Sequence, residues 1–133
     1  MHEKERIVVI CGAFDPLSIE ELNYIKKCHR RGDHLIVGVH TDWWMMWALG
    51  GFVQTYETRR EIIKSLKYVD EVFIEENFEL KKEYIKKYKA DILVMGSDWD
   101  GKFDYLKELC EIKIFDRTEN ISTSDIIKEI KEC

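Results

Sequence analysis

The chain has 133 residues, 45% hydrophobic and 35% charged, with one proline and a net charge of −5. That length suits one domain with a real core and is too short for two. The composition excludes disordered, collagen-like and low-complexity classes. Positive and negative residues are interspersed with no basic run or tail, which argues against a nucleic-acid partner.

No apolar run approaches the roughly 20 residues that span a bilayer, so no membrane partner is expected. The N-terminal MHEKER is charged where a signal peptide turns apolar, and a cytoplasmic location is expected. Cys11, Cys28, Cys110 and Cys133 lie far apart without C-x-x-C spacing, so reduced thiols are expected, with neither a zinc site nor a disulfide framework. No histidine spacing suggests a metal, and His2, His29 and His34 are expected in solvent or loops.

In chain order, RIVVIC (6–11) is a short β-branched run that reads as a buried strand. SIEELNYIKKCHRRG follows with apolar residues at Ile19, Leu22 and Ile25. Ser18 is its expected N-cap, Glu21 stands at N3, and Gly32 closes it. HLIVGVH (34–40) is the second strand. Helical TYETRREIIKSLKYV leads to EVFI (71–74), and helical FELKKEYIKKY to DILVMG (91–96). EIKIF (111–115) is the fifth strand. The last helix is ISTSDIIKEIKE, with Ser122 as N-cap, Asp125 three residues on, and Ile126, Ile127 and Ile130 as its buried stripe.

Strands alternating with helices of this length predict right-handed crossovers and an α/β fold, a parallel sheet covered on both faces. Ligands in such sheets bind beyond the carboxyl ends of the strands, where strand order reverses. The loops of interest therefore follow Cys11, His40, Phe73, Met95 and Phe115.

Those loops carry GAFD, TD, YETRREIIKSLKYVDEV, VMGSDWDGKFDYLKELCE and RTENISTS. Together they resemble the glycerol-3-phosphate cytidylyltransferase family within the HxGH nucleotidyltransferases, almost without gaps from Ile7 to the C-terminus. The resemblance implies one Rossmann-like domain over residues 1–133 with a five-stranded sheet in order 3-2-1-4-5. It also implies a homodimer, and a reaction that joins CTP to a phosphorylated polyol with release of pyrophosphate. On that pattern Gly12 permits close backbone approach, the amides of Ala13 and Phe14 face a phosphate, and Asp15 completes the turn. Arg59 matches an arginine that holds a nucleotide or substrate phosphate. Arg117, Thr118, Ser122 and Thr123 complete the anion site ahead of the last helix, and Asn120 replaces a glycine.

The catalytic elements of the family pattern are missing. Its two histidines donate to the α-phosphate as negative charge builds, and those four positions here read Ser18, Ile19, Glu20, Glu21. Loss of one transition-state donor costs about 3 kcal/mol, and a carboxylate adds repulsion. Glu20 also removes the glycine that lets the triphosphate pass. Ala48 and Gly50 stand where the family has phosphate-clamping lysines. No residue is therefore expected to catalyse cytidylyl transfer, no cofactor is required, and CTP with Mg enters only if residual activity survives.

The departures cluster around one cleft, which suggests repurposing, by evolution or by design, toward apolar recognition. Trp43, Trp44, Met45, Met46 and Trp47 cannot all face inward on one helix. With Ser18, Glu20 and Glu21 they are the expected patch for an apolar small molecule or a protein. Glu20 and Glu21 are either rim groups or acids favoured at a helix N-terminus by its dipole. A Cys-His hydrolase is a separate alternative, since Cys11 and His40 end neighbouring strands and a thiolate beside an imidazole performs acyl transfer.

Overall fold

A computed structural model describes residues 5–76, 80–96, 101 and 104–115. Five strands, β1 (Ile7–Gly12), β2 (His34–His40), β3 (Glu71–Glu75), β4 (Ile92–Gly96) and β5 (Glu111–Phe115), form one parallel sheet in the order β3-β2-β1-β4-β5. The helices are α1 (Ile19–His29), α2 (Asp42–Leu49), α3 (Tyr56–Lys64) and α4 (Lys81–Tyr88), with a short 3-10 helix at Asp104–Glu108. The strand order matches the sequence-based expectation. The expected final helix lies outside the described residues, as do Arg117, Thr118, Asn120, Ser122 and Thr123.

Strand residues alternate between two apolar layers, as the period of two requires. Val8, Ile10, Leu35, Val37 and Val94 pack with Ile25 of α1 and Ile63 of α3 on one face. Val9, Ile36, Phe73, Leu93 and Met95 pack with Ile85 of α4 and Leu106 on the other. Burial on both faces explains why the strands read as continuous apolar runs rather than alternating ones.

Aspartates set the register at the amino ends. The carboxylate of Asp33, just before β2, accepts the amide of Arg6, and that of Asp91, just before β4, accepts the amide of Ile7, both at 2.8 Å. Asp70, just before β3, accepts the amide of Leu35 at 2.8 Å. Each carboxylate satisfies an amide that the ladder leaves open at the sheet end. Gly38 has a packing role at mid-sheet, where a Cβ would meet the Phe73 ring at 2.5 Å and Cys11 Sγ at 3.0 Å.

Ser18, Thr41 and Thr55 cap α1, α2 and α3 by accepting amides of the first turn. Gly50 ends α2 at φ 77°, a left-handed conformation that suits glycine. The segment after β2 is therefore an ordered helix with cap residues at both ends. Beyond the carboxyl ends of β1 and β2 lie the 12–16 turn, the start of α1, α2 and the 52–55 segment.

Candidate functional site

The turn after β1 is built inward. Phe14 takes φ 51° and is buried. Its ring folds back over Gly12, where a Cβ would lie 2.8 Å from the ring. The space that glycine leaves is thus filled by Phe14. Asp15 has no exposed surface, and its two carboxylate oxygens accept the amides of Val53 and Gln54. GAFD is therefore the anchor that ties the 52–55 segment to the sheet.

Arg59 locks the same region from α3. Its side chain is fully buried. Nε donates to the Gln54 carbonyl at 2.9 Å, one terminal nitrogen to the Ala13 carbonyl at 3.1 Å, and the other to Asp42 Oδ1 at 2.8 Å. Asp42 Oδ1 also accepts the Tyr56 amide at 2.7 Å. The arginine expected to grip a phosphate is thus placed with its guanidinium buried and bonded to the protein's own acceptors. The planar fork instead joins the first turn, α2 and α3.

At the head of α1, Ser18 and Glu21 close on each other. The Glu21 amide donates to Ser18 Oγ at 3.1 Å, and the Ser18 amide and hydroxyl donate to Glu21 Oε1 at 3.4 and 3.3 Å. This is the capping box that the sequence spacing predicts. Glu21 serves the helix end, while Glu20 is exposed.

The tryptophan segment divides by face. Trp44 and Met45 are buried, whereas Trp43, Met46 and Trp47 remain 69%, 55% and 72% exposed. Trp44 is thereby corrected from the expected surface patch to the interior. Its ring lies 3.9 Å from that of His40 at 35°. Trp43 and Trp47 stand one helical turn apart with ring planes 2° from parallel and centroids 6.4 Å apart. Helix periodicity brings i and i+4 to one face, and these two therefore share the solvent side.

Under α2 lies a polar cluster that the sequence reading did not anticipate. Glu75, at the end of β3, is buried and accepts Lys81 Nζ of α4 at 3.2 Å on both oxygens. Burial alone would lower the lysine pKa, but the Glu75 carboxylate it is bonded to holds it raised. His40 Nδ1 lies 3.5 Å from Glu75 Oε1. Burial takes its pKa down to about 4, Glu75 opposes that, and Lys81 and Arg59 add to it. The imidazole is neutral at pH 7.

Cys11 belongs to this cluster too, but its electrostatics oppose the hydrolase alternative. Burial and then the Glu75 charge push the thiol pKa well above its ordinary value, with Lys81 only partly opposing. A nucleophilic cysteine needs the reverse. Cys11 and His40 do converge on Glu75, so the strand-end geometry holds, while the thiolate that acyl transfer requires is suppressed.

Asp42, Glu75 and Lys81 were the residues missed. Their sequence signals are an acid directly after Thr41, an acid closing the apolar run EVFIE, and a lysine six residues later. Among the described residues, no group of three or more His, Cys, Asp or Glu is placed to hold a metal ion. No described helix is long and apolar enough to cross a membrane.

Comparison with known proteins places this geometry in context. A family model described as cytidylyltransferase-like matches residues 9–129. The glycerol-3-phosphate cytidylyltransferase of Bacillus subtilis (strain 168) is 40% identical over 123 residues, covering 92% of this chain and 95% of that protein. That of Staphylococcus aureus (strain NCTC 8325 / PS 47) is 35% identical, covering 92% and 93%. An FAD synthase of Pyrococcus abyssi (strain GE5 / Orsay) is 32% identical, covering 94% and 92%. Among solved structures, the lipopolysaccharide core biosynthesis protein from Thermoplasma volcanium GSS1 superposes with a TM-score of 0.72 at 22% identity, covering 89% of this chain and 100% of that one.

Proposed function

The chain belongs to the cytidylyltransferase-like family, and from that premise we propose that it is a binding protein on this fold, with cytidylyl transfer lost and the cleft turned to apolar recognition. The observation that carries the reading is the Ser18–Glu21 box. The two positions that hold phosphate-directed histidines in the family pattern are here a serine and a carboxylate bonded to each other. A transferred α-phosphate would meet a negative group where a donor is required, and the Glu21 amide is already committed to Ser18. The loss of one oxyanion donor removes about 3 kcal/mol of transition-state stabilisation, so two replaced donors take the rate far below a useful turnover.

Support for recognition comes from α2. Ala48 and Gly50 bring no cation to the phosphates, while Trp43, Met46 and Trp47 offer apolar surface. Exposed tryptophan and methionine are over-represented where proteins bind partners. The homodimer implied by the family resemblance belongs to the same reading, with a second copy as one occupant of this face.

The test is pyrophosphate release from CTP with glycerol 3-phosphate and Mg. No release above background is expected, and measurable turnover would overturn the reading. The triple variant Ser18→His, Glu20→Gly, Glu21→His restores the donors, and a gain of activity in it alone would identify those positions as the cause.

A second reading, residual CTP:glycerol-3-phosphate-type cytidylyl transfer, is favoured by 40% identity over 92% of the chain and by the buried Asp15 anchor of the first turn. That reading requires CTP to raise the melting temperature in the presence of Mg. An unchanged melting temperature at millimolar CTP removes it.

A further inference from the structure

We draw no further inference here: the strongest candidate, the basic surface cluster in which Lys27, Arg31 and Lys113 gather around the Phe115 ring at the carboxyl end of β5, carries nothing because nothing in the structure shows what covers it.

Discussion

Lys81 places its ammonium 3.2 Å from both carboxylate oxygens of Glu75, and both side chains are buried. The pair joins α4 to the end of β3 directly beneath His40 and Cys11. Breaking such a pair from one side strands a charge in the interior, at a cost of about 3–5 kcal/mol. Glu75→Gln is therefore expected to lower the urea midpoint severely. The double variant Glu75→Leu, Lys81→Met removes both charges and is expected to recover most of that loss. Equal destabilisation by the single and double changes would contradict the pairing.

His40 gives stability a pH dependence. Its folded pKa is lowered to about 4, below the ordinary histidine value of 6.5, so the unfolded chain binds the proton more tightly. Stability is fully present above pH 6.5 and is lost as pH falls toward 4, by about 3 kcal/mol in total. Below pH 4 both states are protonated and this contribution levels off. Urea unfolding at pH 4, 5.5 and 7 measures the slope, and His40→Phe is expected to flatten it.

The carboxylate of Asp15 and the guanidinium of Arg59 hold the site loops from opposite sides. Asp15→Asn replaces one acceptor oxygen with a donor that faces a backbone amide, a loss of about 1–3 kcal/mol. Arg59→Lys keeps the charge but cannot reach the Gln54 carbonyl, the Ala13 carbonyl and Asp42 together. It is expected to behave nearly as poorly as Arg59→Ala, with faster amide hydrogen exchange at Val53 and Gln54 in both. Wild-type exchange in the lysine variant would show that charge alone suffices.

The two faces of α2 are separable by truncation. Trp44→Ala removes a buried ring that packs on His40 and is expected to cost about 3–5 kcal/mol. Trp47→Ala removes a ring that is largely in solvent and is expected to change stability by only about 0.5 kcal/mol. Thermal unfolding of both variants checks the assignment. Equal losses would mean that the helix is rotated about its axis.

Cys11 offers a matching chemical check. With its thiol held protonated by burial and by Glu75, alkylation by iodoacetamide at pH 8 is expected to be far slower than for an unstructured thiol. Peptide mass analysis reads that rate separately from the other cysteines. Rapid modification of Cys11 would revive the acyl-transfer alternative.

Much of this molecule is determined by its sequence alone. Short continuous apolar runs marked all five strands, because burial on two sheet faces leaves runs that few other arrangements tolerate, and period-3.6 spacing marked the first helix. The Ser18–Glu21 box was legible because its partners are three residues apart and its geometry is local. Tertiary structure decided the rest. Arg59 reads the same on paper whether its guanidinium faces solvent or buried carbonyls, and only the approach of α2 and the first turn selects the second. Trp44 and Trp47 have the same side chain, and the docking of α2 sends one to the core and the other to solvent. Glu75, Lys81, His40 and Cys11 come from four different elements, so no spacing in the chain announces them. They meet because a parallel sheet brings the ends of distant strands together, and burial then fixes their charges.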